Sequence, residues 1–314
     1  MLISCTDFIP CYSALFTWLE DQHGREEVNR LWKYLFFPDG KGIPLIDYIE
    51  KDGLRGCWNF WADALDEEAA DYTQYLNETR GFFLNQIRNC PSKGGLLKLQ
   101  EKTGIPPYHD YCLHCDSYRA AVEKAGLCYI FNFRDTDRAC CEKLIYDPKV
   151  FDGRIILDEG TETRAVLGAD KEYFHPDFHS SMNMCMEYLG SHFGTEEVEA
   201  FLMSYARSYY ADVIADIKAH GLAAVEDYLR QIYRAEKAEE VLHIQRSEDH
   251  LLVSITACPG VTYLRQTGRV VSRWYPCGAE VVLRTIAGDS GLQLSVTDYE
   301  VLTGKTEYIL SKLR

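Results

Sequence analysis

The segment Tyr108-His109-Asp110-Tyr111-Cys112-Leu113-His114-Cys115-Asp116 gathers more reactive groups than any other stretch of this 314-residue chain. Two thiols stand three apart, with an imidazole between them and a carboxylate alongside. If the segment opens an α-helix, Cys112, Cys115 and Asp116 share a face at i, i+3 and i+4. A thiol near a helix N-terminus and beside an imidazole ionises more readily, which nucleophilic attack requires. Cys112 is therefore the candidate nucleophile, with His114 or Asp116 moving protons. The same residues allow a second chemistry. Cys-x-x-Cys has zinc-ligand spacing, and Cys140-Cys141 would complete a set of four with Cys112 and Cys115. No cofactor is expected on the first reading; zinc is expected on the second.

The chain carries twelve cysteines, and nine of them lie between Cys5 and Cys141. That crowding directs attention to the first half. Cys5, Cys11, Cys57, Cys128 and Cys185 sit among aromatic or aliphatic neighbours and read as buried small hydrophobes. Cys90 and Cys258 each precede a proline at the end of an alternating run, a structural punctuation that could also face a pocket above a sheet edge. Glu68 and Glu236 match in position, yet the acidic residues around Glu68 suggest a solvated helix face. His175 and His179 are four apart, but Pro176 between them favours a cap or turn over a metal pair. Trp58, Phe60, Trp61, Tyr72 and Tyr75 read as core, with an apolar ligand cavity as the alternative. No Gly-rich phosphate loop, Gly-x-Ser-x-Gly elbow or His-Glu-x-x-His is present.

These residues are held by a pattern that occurs twice. His23-Gly24-Arg25-Glu26-Glu27-Val28 echoes Phe193-Gly194-Thr195-Glu196-Glu197-Val198. Gly53-Leu54 then answers Gly221-Leu222, Cys90-Pro91 answers Cys258-Pro259, and Gly126-Leu127 answers Gly291-Leu292. Each copy shows helical apolar spacing around its Gly-x-Glu-Glu-Val junction, then a short helix. A long amphipathic helix is expected next, over 54–76 and 222–240, followed by a strand ending at Cys-Pro. The first copy then shows two helices (95–103 and 109–125) and the second copy one (261–267). Hairpins close both copies: 127–133 with 138–146, and 292–298 with 306–310. This is an α+β layout, two tandem copies of a domain with helices first and a small antiparallel sheet after, forming an internal pseudo-dimer. Residues 1–150 are the Cys-rich first copy, 151–180 an ordered connector with a strand-like run at 154–157, and 181–314 the second copy.

With 48 acidic against 33 basic residues and a net charge of −15, the chain opposes binding to nucleic acid or anionic membranes. No apolar run approaches the ~20 residues of a membrane span, and the N-terminal stretch lacks a basic n-region. A cytoplasmic protein with a small-molecule substrate is expected, either sufficient as its own pseudo-dimer or paired again as a homodimer.

The succession of Gly-x-Glu-Glu-Val, acidic helix, strand ending in Cys90-Pro91, Cys112-x-x-x-Asp116 and a last strand with Cys141 resembles the L-2-amino-thiazoline-4-carboxylic acid hydrolase-like family. It is similar, more distantly, to 4-vinyl-reductase-type ligand-binding domains. The first resemblance implies hydrolytic opening of a cyclic amidine at a carbon–nitrogen bond. A Cys112 thiolate would add to the C=N carbon, Asp116 or His114 would move protons, and Cys141 or Cys90 would shape the site or act as nucleophile instead. Val281 stands where Asp116 would in the second copy, and Thr306 where Cys141 would, so the first copy is the active half. The second resemblance implies a module that binds a small molecule or zinc without turnover.

Overall fold

A computed structural model describes residues 3–36 and 44–312. The protein is α+β, with twelve α-helices and two antiparallel sheets among the described residues. It divides into two compact units, Phe16–His175 and Met1–Leu15 with Pro176–Arg314. The division differs from the copy boundaries because 151–180 is not a separate connector. Its strand pairs with the first unit's sheet, and residues 1–15 belong to the second unit.

In the first unit, helix α1 (Phe8–His23, shared from Phe16 onward) leads into α2 (Arg25–Phe36), α3 (Pro44–Asp52) and α4 (Leu54–Glu67). On α2 the buried residues Val28, Leu31, Trp32 and Leu35 recur at i, i+3, i+4 and i+7, the stripe by which a surface helix packs on a core. Helix α4 stops earlier than the apolar pattern suggests. Ala69 takes φ 50°, and Ala70 N–H closes on the Leu65 carbonyl at 2.9 Å, so the chain leaves the helix at Glu68. Tyr72–Leu76 then lies in strand β1 (Asp71–Asn77), where its aromatic and β-branched residues suit the pleat.

Strand β2 (Phe82–Asn89) follows, then α5 (Pro91–Thr103), a 3-10 segment Tyr111–Ser117, α6 (Tyr118–Lys124), β3 (Cys128–Asp135), β4 (Cys140–Tyr146) and β5 (Glu162–Val166). The strands lie in the order β3-β4-β2-β1-β5. The run at 154–157 forms no strand, and Ile155 and Leu157 stay exposed. Helix α4 supplies Cys57, Trp61 and Leu65 to a core that includes Tyr72, Phe83, Ile87, Tyr129 and Ile145 from the sheet.

The second unit repeats the plan with α7 (Phe178–Phe193), α8 (Thr195–Tyr209), α9 (Ala211–His220), α10 (Leu222–Ala235), β6 (Leu242–Arg246), β7 (His250–Ile255), α11 (Pro259–Gln266), α12 (Cys277–Asp289), β8 (Leu292–Tyr299) and β9 (Thr306–Lys312). Its strand order β6-β7-β9-β8 is that of β1-β2-β4-β3. Helix α10 ends as α4 does, with Lys237 at φ 53° after Glu236. No helix of the described residues is long and apolar enough to cross a membrane.

Candidate active site

The Cys-x-x-Cys segment is wound as a 3-10 helix, and this changes which side chains meet. With three residues per turn, positions i and i+3 stack while i+4 rotates away. Tyr111 and His114 fall in one row, Cys112 and Cys115 in a second, and Leu113 and Asp116 in a third that faces outward. Tyr111 is the anchor, 1% exposed and packed on Phe16. Its carbonyl accepts a hydrogen bond from His114 Nδ1, which fixes the ring and turns Nε2 toward Cys115 Sγ at 3.5 Å. A nucleophile, its base and a group that orients the base are therefore consecutive in space. Tyr129 ties the turn to β3 by donating to the Cys115 carbonyl at 3.0 Å.

Burial alone would push the Cys115 thiol up. The His114 ring, its hydrogen bond and the Lys143 ammonium outweigh it, and the thiol is held below its ordinary value. Burial alone would also disfavour charge on His114, but Cys115 and the Tyr111 carbonyl reverse this and raise it. Each member of the pair thus favours the charged form of the other. Both residues keep partial exposure.

Opposite this pair, a polar row crosses the helix-covered face of the sheet. Gln74 on β1 pairs with Asn85 on β2, Asn85 with Lys143 on β4, and Lys143 with Phe131 on β3. Their neighbours two residues away on the same face, such as Phe83, Ile87 and Ile145, are core. Gln74 and Asn85 are fully buried, yet the Gln74 carbonyl oxygen and both amide atoms of Asn85 lack partners among the described residues. Such groups cost about 1–3 kcal/mol each when left unsatisfied. Lys143 is 4% exposed, with Nζ 5.2 Å from the ring centres of Trp61 and Tyr118 and 5.9 Å from Phe131. Glu68 completes the group. Burial raises its carboxyl against the opposing effects of His175, Lys143 and His114.

Comparison with family models, curated proteins and solved structures finds no match to this chain.

The residues singled out in the sequence divide as follows. His114, Cys90 and Cys141 come together around Cys115: burial and then Cys141 and Cys115 raise the Cys90 thiol, and burial, against the Lys143 ammonium, lifts Cys141 to about 12. Cys112 lies near Cys115, and burial pushes it up to about 11. Asp116 does not join them. It faces outward and binds Arg119 at 2.7 Å. The four thiols Cys112, Cys115, Cys140 and Cys141 do not converge, because adjacent residues in a strand point to opposite faces. Cys140 accordingly donates to the Arg88 carbonyl at 2.8 Å, away from Cys141. Of the five thiols read as core, Cys5, Cys11, Cys57 and Cys185 are buried and Cys128 is half-buried. Glu68 is not on a solvated helix face but at the helix end, turned inward, and Lys143 had no signal except a charge inside an apolar alternation.

The second unit keeps the framework and changes the contents. The row equivalent to Gln74-Asn85-Lys143 is Ile244-Val253-Tyr308. Thr306 opposes Ile255 as Cys141 opposes Ile87. Here Cys258, Thr306 and Tyr308 line a cavity of about 160 Å³ with Ile3, Tyr275 and Tyr299.

Proposed function

We propose that the Phe16–His175 unit is the catalytic half of a thiol-dependent hydrolase that opens a small cyclic amidine or thiazoline-like ring. The observation that carries this reading is the contact between Cys115 Sγ and His114 Nε2 at 3.5 Å, with the ring held from behind by Tyr111. The nucleophile is thus Cys115, and Cys112 is its neighbour. The Cys115 thiolate adds to the electrophilic C=N carbon, and the His114 imidazolium gives its proton to the ring nitrogen. The carbon–nitrogen bond then breaks as Glu68, whose carboxyl burial raises, passes a proton to the departing amine. Neutral His114 takes a proton from water as its oxygen attacks the thio-adduct, Cys115 leaves as thiolate, and the new hydroxyl returns its proton to Glu68 as it becomes the product carbonyl. Lys143 and the unpartnered Asn85 amide offer charge and hydrogen bonds to substrate atoms next to the sulfur. A cytoplasmic, reducing setting keeps the twelve free thiols reduced.

The test is thiol labelling followed by turnover. Cys115 should react with iodoacetamide ahead of the other eleven thiols, and Cys115→Ser should abolish hydrolysis of thiazolines and cyclic amidines while Cys112→Ser retains it. Slow, uniform labelling of all thiols would overturn the assignment. A second reading, small-molecule binding without turnover, is favoured for the second unit by its cavity. At about 160 Å³ it matches the size of engineered apolar cavities that admit a benzene-sized molecule.

A further inference from the structure

We propose that Cys5, His179 and Glu236, in the second unit, form a binding site for a zinc-class divalent cation. The three come from separate elements: the segment preceding α1, the first turn of α7, and the residue that ends α10. One donor atom of each lies within 4.8 Å of the others, and all three residues are buried. Thiolate, imidazole and carboxylate are the ordinary ligands of zinc, and three protein donors with a fourth position left to solvent is a familiar arrangement.

The outer contacts argue further for the site. Glu236 Oε1 accepts the Cys5 backbone N–H at 2.6 Å, leaving Oε2 as the oxygen that faces His179 Nε2 at 2.9 Å. His179 Nδ1 meets the Tyr275 hydroxyl at 3.2 Å. Each of these two ligands is thus oriented from behind by a hydrogen bond, as metal-binding histidines and carboxylates are. A buried His–Glu pair alone would not need a thiol brought from 231 residues away in sequence. Ligand atoms around a tetrahedral zinc with bonds of ~2.0–2.3 Å sit roughly 3.3–3.6 Å apart, so the pair must open by only about half an ångström.

Charge and protons balance. Without metal, His179 Nε2–H donates to Glu236 and Tyr275 donates to Nδ1. When the cation binds, the Cys5 thiol releases its proton to solvent. The histidine proton comes to rest on Nδ1, where it donates to the Tyr275 oxygen, and Nε2 takes the metal. One thiolate and one carboxylate then neutralise the two positive charges, which a buried site requires. The neighbouring cavity shares Tyr275 with this cluster.

The full-length chain, purified without chelators and incubated with zinc, should hold about one equivalent by elemental mass spectrometry. Cobalt in its place should give a charge-transfer band of the intensity of one thiolate. Cys5→Ser should lose that band, Tyr275→Phe should weaken affinity ~10–100-fold, and Cys115→Ser and Cys112→Ser should leave both unchanged. The proposal falls if wild-type protein binds neither zinc nor cobalt, or if the band indicates two or more thiolates. It also falls if metal is retained in Cys5→Ser. The wild-type spectrum decides the matter even where a variant fails to fold.

Discussion

Lys143→Met should make the protein more stable and its reactive thiol slower. Lys143 is 4% exposed and forms no close ion pair among the described residues, Glu68 acting on it only at longer range. Desolvating an ammonium costs several kcal/mol even after relaxation. Three ring faces between 5.2 and 5.9 Å return part of this, at about 0.5–2 kcal/mol each. Methionine keeps the length of the stem, removes the charge and makes sulfur–ring contacts of ~0.3–1.5 kcal/mol. The expected net gain is about 1–3 kcal/mol. For a unit of this size each kcal/mol moves the midpoint by ~2–4 °C, so scanning calorimetry should show a rise of about 2–12 °C. Iodoacetamide should meanwhile label Cys115 more slowly near neutral pH, since one of the charges favouring its thiolate is gone. A loss of stability above ~1 kcal/mol would mean that the ammonium is well compensated where it sits. A gain in stability with unchanged labelling would refute its action on Cys115.

Other expectations follow from the same geometry. Labelling of Cys115 should rise with pH at a midpoint below that of an ordinary thiol, and His114→Gln should move the midpoint upward; a rapid-mixing pH series measures both. Asp7, in the second unit, accepts from Tyr209 at 3.1 Å, yet burial outweighs its hydrogen bonds and lifts its carboxyl to about 6. The folded state then holds a proton that the unfolded chain releases, so stability falls as pH rises from about 4 to about 6. Asp7→Asn should raise stability at pH 7 by about 1–2 kcal/mol, discounted for partial exposure, with the gain vanishing below pH ~4, read by urea titration. A Cβ at Gly190 would lie 2.1 Å from the Trp274 ring. Gly190→Ala should therefore cost about 1–3 kcal/mol despite its better helix propensity.

Much of the fold was legible because its signals are local. The Gly-x-Glu-Glu-Val junctions and the Cys-Pro strand ends lie where periodicity changes. The first strand of each sheet was hidden because the chain leaves α4 and α10 through Ala69 and Lys237, residues that do not advertise a left-handed turn as glycine does. Helix α12 was missed, and the apolar run at 154–157 was taken for a strand that pairing gives instead to 162–166. At the site, residue types were readable and rotation was not. An α-helical wheel joins Cys112 to Asp116, whereas the 3-10 turn joins Cys115 to His114 and sends Asp116 to Arg119. Asn85 and Lys143 interrupt apolar alternations, a signal that was available. Glu68 was masked by its acidic neighbours, since nothing local shows that the helix ends there and turns the carboxylate inward.

Helix α1 has one half in each unit, Phe8–Leu15 in the second and Phe16–His23 in the first. Seen from the ribosome, this fixes an order of events. The first unit's sequence is complete once His175 has been made, while residues 3–15 must wait for a partner that ends near the last strand. At ~5–20 residues per second, that wait lasts roughly 15–60 s. Through it, Ile3, Cys5, Phe8 and Cys11, all buried in the finished molecule, stay open to solvent, chaperones and oxidants. Residues 3–15 are made long before the segment they pack with, which makes them a stretch whose protection by a nascent-chain chaperone would matter to the yield of native protein.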